Sequence, residues 1–110
     1  MPKPKLTQEI KDQADAIVAR FNAEELRSRP YAHYITRYRG KYLYLGRDRQ
    51  EGFHPVCRLT YTGDMQGWEF AIYRWSREAY DPDEWFFPGD GEVDGTIEGA
   101  MRAGLQAYPP

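Results

Sequence analysis

Residues 34–45, Tyr34-Ile35-Thr36-Arg37-Tyr38-Arg39-Gly40-Lys41-Tyr42-Leu43-Tyr44-Leu45, decide how this chain folds. Aromatic and β-branched residues alternate on both sides of a single glycine, the pattern of two antiparallel strands joined by a tight turn. Tyr38-Arg39-Gly40 fits a three-residue loop with Gly40 in the left-handed bulge position. That loop sets a register. Arg37 opposes Lys41, Ile35 opposes Leu43 and His33 opposes Leu45 on one face, while Tyr34 opposes Tyr44 and Thr36 opposes Tyr42 on the other. Because side chains alternate with period two, the register alone decides which residues enter the core. This reading sends Ile35, Leu43 and Leu45 inward and Tyr34, Tyr42 and Tyr44 outward.

Downstream the same period continues, with glycines at 52, 63 and 67 marking the breaks. Four strands result, at roughly 31–37, 41–47, 55–61 and 68–75, joined as a meander. Cys57, Leu59, Tyr61, Trp68, Phe70 and Ile72 extend the inner face. Arg58, Thr60, Ala71, Tyr73 and Trp75 extend the outer one. A stretch at 76–93 is long for a structureless loop, so a short fifth strand is expected at Trp85-Phe86-Phe87.

Helices flank the sheet. Ile10, Ala14, Ile17, Val18 and Phe21 recur with the period of an amphipathic helix, Thr7 can cap its start, and Pro30 stops it. A second helix is expected over about 94–108 from Ile97, Met101, Leu105 and Tyr108, weakened by Gly99 and Gly104. The chain therefore divides into a polar leader (1–5), a helix (6–28), an antiparallel sheet (31–75), an acidic aromatic loop (76–93) and a closing helix (94–108). The expected class is α+β: an N-terminal helix, a four- or five-stranded antiparallel meander and a C-terminal helix in one domain.

Composition narrows what such a domain can do. At 110 residues there is room for one core. Nine Tyr and three Trp supply apolar area that a modest aliphatic content would not. No apolar run is long enough to span a membrane. Met1-Pro2-Lys3-Pro4-Lys5 has no apolar stretch behind it, so no secretory signal is read there. The lone Cys57 excludes an internal disulfide framework and a multi-cysteine zinc site, which points to a reducing, cytoplasmic setting.

Net charge is only −2, yet the charge is segregated. Residues 27–49 hold seven cations and one anion, and residues 78–98 hold eight anions and no cation. The simpler reading is that the acidic segment closes over the basic one; the sharper reading is two separate binding faces.

Catalytic constellations are weak. Cys57 sits on the presumed core face, so its null role is a small buried hydrophobe rather than a partner for His33 or His54. Ser28 and Ser76 lie in no nucleophile motif, and no glycine-rich phosphate loop exists. Asp90, Glu92, Asp94 and Glu98 occupy positions 1, 3, 5 and 9 of a calcium-loop pattern with Gly95 at position 6. Position 12, however, is Met101 in place of the closing Glu. Asp81, Asp83 and Glu84 could serve a hydrolase only if a second group faced them. The expectation is no enzyme, no catalytic residue, no metal and no cofactor.

The outer face is the most informative feature. Tyr34, Tyr42, Tyr44, Tyr73 and Trp75 are interleaved with Arg58 and bordered by Arg37, Arg47 and Arg74. Such a face is covered within the fold, or it receives a protein partner, or it stacks single-stranded nucleic acid while arginines meet phosphates. Trp85 and Phe86 form a second candidate anchor, because three consecutive aromatics cannot all point inward. The expected activity is therefore a small interaction module for a protein partner or homodimer, with single-stranded nucleic acid as the alternative.

Pro55-Val56-Cys57-Arg58-Leu59-Thr60-Tyr61, followed by Trp68-Glu69-Phe70-Ala71-Ile72-Tyr73, resembles a family of short bacterial domains of unassigned activity. That family has a Pro-Val-x-basic-aliphatic-x-Tyr strand, a Trp-x-aliphatic strand, a later Trp and a closing helix. The similarity spans about residues 31–107 in element order. Here the Trp68-to-Trp85 spacing is longer, and no His follows the later Trp. The resemblance implies the fold and assigns no functional residues.

Overall fold

A computed structural model describes residues 4–110; the first three positions of the polar leader lie outside the described residues. Helix α1 spans Gln8–Glu25 and begins as the sequence predicts, with the Thr7 hydroxyl accepting from the Ile10 N–H at 3.2 Å. Five strands follow: β1 Tyr34–Arg39, β2 Tyr42–Arg49, β3 Gly52–Thr60, β4 Glu69–Arg74 and β5 Ala79–Asp81. Helix α2, Ile97–Ala107, closes the chain, capped by Thr96, whose hydroxyl accepts from the Gly99 N–H at 2.9 Å. The sheet runs β1-β2-β3-β4-β5 with every neighbour antiparallel, so the α+β class and the meander are as expected.

Both helices pack on one face. From α1, Asn22 brackets the Tyr34 backbone, accepting from its N–H and donating to its carbonyl, each at 2.9 Å. One turn-pair earlier, Asp15 accepts from the hydroxyls of Thr36 and Tyr38. From α2, the Met101 carbonyl accepts the Tyr34 hydroxyl at 2.7 Å. Between the layers lie Ala14, Val18 and Phe21 of α1, Ile97, Ala100 and Met101 of α2, and Leu43, Leu45, Cys57, Leu59, Phe70 and Ile72 of the sheet, all buried.

The register of the first hairpin differs from the sequence reading. Tyr34 faces Arg47, Thr36 faces Leu45 and Tyr38 faces Leu43. The turn is Gly40-Lys41, two residues, with Gly40 at φ 60° and Lys41 outside the left-handed region. A single left-handed residue at the first central position is what a type II′ turn requires. The pairing is thereby offset by an odd number of residues, and all of β1 turns over. Tyr34, expected on the outer face, is 2% exposed and belongs to the core. Ile35, expected inside, takes its place outside.

Three further corrections follow. His33 stands outside the strand, where its Nε2 meets the Leu26 carbonyl at 2.8 Å. Arg47 does not border the outer face, since it lies opposite Tyr34 on the helix side and is buried. The fifth strand is Ala79–Asp81, not Trp85-Phe86-Phe87. Phe87 turns instead onto Phe70, the two rings nearly parallel with centroids 5.6 Å apart. Among the described residues no helix is long and apolar enough to cross a membrane.

Candidate functional site

With both helices on one side, no helix or strand among the described residues covers the other side of the sheet. Cross-strand pairing builds that face. Tyr44 lies opposite Arg58, Arg58 opposite Ala71, and Tyr73 opposite Tyr80. Residues directly opposite one another share a face, so Tyr42, Tyr44, Arg58, Tyr73 and Tyr80 come together. Thr60 and Ala71 form its buried floor.

The rings form a continuous chain. Centroids are 6.0 Å apart for Tyr42 and Tyr44, 5.3 Å for Tyr44 and Tyr80, and 5.0 Å for Tyr80 and Tyr73. Trp75, just past β4 and 42% exposed, continues the chain edge-on to Tyr73 at 5.0 Å. None of these pairs stacks in parallel; all are tilted or perpendicular, the arrangement that the ring quadrupoles favour.

Arg58 sits in the middle. Its guanidinium carbon is 4.4 Å from the Tyr42 centroid and 5.4 Å from that of Tyr80. Its Nε is buried without a hydrogen-bond partner. Cation–π contact thus holds the guanidinium in place. At the next strand Arg37 lies 4.5 Å over the Phe53 ring, and Lys41 lies 5.5 Å over Tyr42. Burial pushes the Tyr80 hydroxyl well above the ordinary phenol range, so this ring is neutral and available as a donor at physiological pH.

Of the eight predicted site residues, four lie on this face: Tyr42, Tyr44, Arg58 and Tyr73. Trp75 stands at its edge. Tyr34 is withdrawn into the core, for the register reason given above. Trp85 and Phe86 are exposed, at 50% and 92%, but belong elsewhere. Phe86 borders a pocket with Ile72, Arg74, Ala107 and Tyr108, on the helix side of the sheet edge.

Two residues of the face escape a sequence reading, Tyr80 and Phe53. Tyr80 lies in a segment without periodicity, and three residues of strand give no alternation to detect. Its signal was the polar turn before it: Trp75-Ser76-Arg77-Glu78 bridges Arg74 to Ala79, with Glu78 in the left-handed region. Phe53 approaches the face because Gly46 lacks a side chain; a Cβ there would fall 2.5 Å from the Phe53 ring.

The charge map also departs from the simpler expectation. The acidic segment does not close over the basic run. Glu84 pairs with Arg74, Asp81 with Arg77 and Glu98 with Arg20, all cations from outside residues 27–49. Arg47 and Arg49 donate to backbone carbonyls, of Tyr108 and Tyr31. Arg74, read as a border of the outer face, is spent on Glu84 beside the loop.

Elsewhere, Cys57 is fully buried and burial pushes its thiol far above the reactive range. Among the described residues no three metal-ligating side chains cluster. Asp94 Oδ1, just before α2, accepts from the hydroxyl and the N–H of Thr96, which holds its carboxyl below the usual range. Compared with family models, curated proteins and solved structures, the chain has no significant match.

Proposed function

We propose that the domain is a small, non-enzymatic interaction module whose open sheet face receives the acidic aromatic loop of a second copy. The observation that carries this is the cationic and aromatic character of the face: Arg37, Lys41 and Arg58 rest on aromatic rings, with Glu69 as the carboxylate in the cleft beside Lys41 and Arg58. The complementary surface is on the same chain. Residues 78–98 carry eight anions and no cation, three of them (Asp81, Glu84 and Glu98) in ion pairs within the chain, and Phe86 stands almost wholly in solvent. The lone, buried Cys57 suits a reducing, cytoplasmic setting for such a module.

Nucleic acid is the competing occupant. Stacking of bases needs free ring faces. Here Arg58 and Lys41 lie over Tyr42, Arg58 also lies over Tyr80, and the contacts between rings are tilted or edge to face. What the surface offers is guanidinium, hydroxyl and ring edge, which favours a protein carboxylate over a base.

Sedimentation velocity over a range of concentrations tests the proposal. The wild type should dimerise, and Arg58→Glu or Phe86→Ala should weaken the dimer about tenfold or more while the domain stays folded. Added salt should weaken the charged rim and spare the aromatic centre. A wild type that stays monomeric at high concentration, or that binds a labelled single-stranded oligonucleotide with a steep salt slope, would overturn the reading.

A further inference from the structure

A second site lies at the far end of the sheet, past the bulge where the β2–β3 register shifts between Leu45 and Gly46. Arg47, Arg49, His54, Trp75, Tyr108 and Pro109 are among the residues that enclose a cavity of about 330 Å³ there. That is large enough for a small molecule.

Arg47 is the unusual member. It is only 5% exposed, and its Nη1 donates to the Tyr108 carbonyl at 2.6 Å. Its Nε and Nη2 are buried and reach no acceptor. These two nitrogens share one edge of the guanidinium, the edge that grips a carboxylate or phosphate with two parallel hydrogen bonds. No carboxylate pairs with Arg47 among the described residues. The nearest compensation is the Tyr34 ring, 5.5 Å from the guanidinium carbon. An arginine stays charged in proteins, and a buried charge without a partner is costly.

The rest of the wall agrees in sign. Arg49 is held in place by the carbonyls of Tyr31 and Asp48, at 2.7 and 3.3 Å, which leaves its charge unneutralised. The Glu51 carboxylate lies 3.7 Å from the His54 Nε2 and is turned largely to solvent. The rings of His54 and Trp75, inclined at 42° with centroids 4.6 Å apart, supply an aromatic wall beside the cations.

We propose that this cavity binds a small molecule bearing a carboxylate or phosphate, its oxyanion taken by the free Nε–Nη2 edge of Arg47 and its flat body lying along Trp75 and His54. The site meets the open face only at Trp75, and the Arg47 contact that defines it does not depend on dimerisation.

The test is a titration of isotope-labelled protein with sodium phosphate, sodium benzoate and phenyl phosphate at matched ionic strength, following the Arg47 Nε–H and Trp75 indole signals. Phosphate alone shifting Arg47 identifies a phosphate site; benzoate alone identifies a carboxylate site. Phenyl phosphate should move both signals saturably at about millimolar concentration. Arg49→Ala, which leaves the buried Arg47 intact, should weaken that binding several-fold. No saturable shift at Arg47 with any of the three, or unchanged affinity in Arg49→Ala, would overturn the proposal.

Discussion

Tyr34 shows how much one residue can decide. Its backbone is clasped by Asn22 and its hydroxyl by Met101, so it ties β1 to both helices at once. Tyr34→Phe removes the hydroxyl's bond to the Met101 carbonyl, which keeps its partner within α2, and should cost about 0.5–1.5 kcal/mol in a denaturant melt. Leu45→Ala, a truncation of a fully buried side chain, should cost about 2–5 kcal/mol, and Tyr44→Ala on the open face clearly less. Equal losses at 44 and 45 would mean that the face is not open.

Titration gives a second check at this scale. Burial raises the hydroxyl pKa of Tyr34, Tyr38, Tyr80 and Tyr108, with Asp15 adding to the effect at Tyr38. A group whose folded pKa is raised keeps the proton longer in the folded state. Its stabilisation is therefore complete below the unfolded value of about 10 and lost as pH climbs beyond it. Ultraviolet titration should show these four phenols ionising only together with alkaline unfolding; their ionisation at the ordinary value of about 10 in a still-folded protein would contradict this.

At the scale of elements, α1 and the inner face of β2–β4 are legible in the sequence because their periodicity is undiluted. Ile10, Ala14, Val18 and Phe21 have no rival pattern, and neither do Leu43, Leu45, Cys57 and Leu59. β1 was not legible. Either alternation, Tyr34-Thr36-Tyr38 or Ile35-Arg37-Arg39, is a plausible strand face, and the choice rests on Asp15 and Asn22, which lie 12–23 residues away. The fifth strand was misplaced for a related reason: three adjacent aromatics outweighed Ala79-Tyr80-Asp81, whose pairing with β4 is a tertiary fact.

The α2 glycines also read differently in context. Propensity alone makes Gly104→Ala stabilising by up to about 1 kcal/mol. A Cβ at 104, however, would press on the Tyr34 hydroxyl and lie 2.6 Å from Val56 Cγ1. Overpacking of this kind costs about 1–3 kcal/mol, so the variant should be destabilised, with the melting temperature lowered rather than raised.

For the whole molecule, the decisive arrangement is two helices on one face of a five-stranded sheet and no helix or strand among the described residues over the other. The sequence held most of the open face, namely Tyr42, Tyr44, Arg58, Tyr73 and Trp75, because alternation within a strand survives an error in its neighbour's register. It held the segregated charge too, but not where the charge goes, since ion pairs such as Arg74–Glu84 and Arg20–Glu98 depend on the chain's path. With those pairs formed, the outer-face cations Arg37 and Arg58 rest on aromatic rings, and the acidic loop keeps Phe86 in solvent. The central claim is that these two surfaces meet between copies. Dilution of isotope-labelled protein, followed residue by residue by nuclear magnetic resonance, tests it most directly. Signals of Tyr42, Tyr44, Arg58, Tyr80 and Phe86 should shift together with concentration while those of α1 stay fixed; a spectrum unchanged on dilution, or shifts confined to the helices, would contradict it.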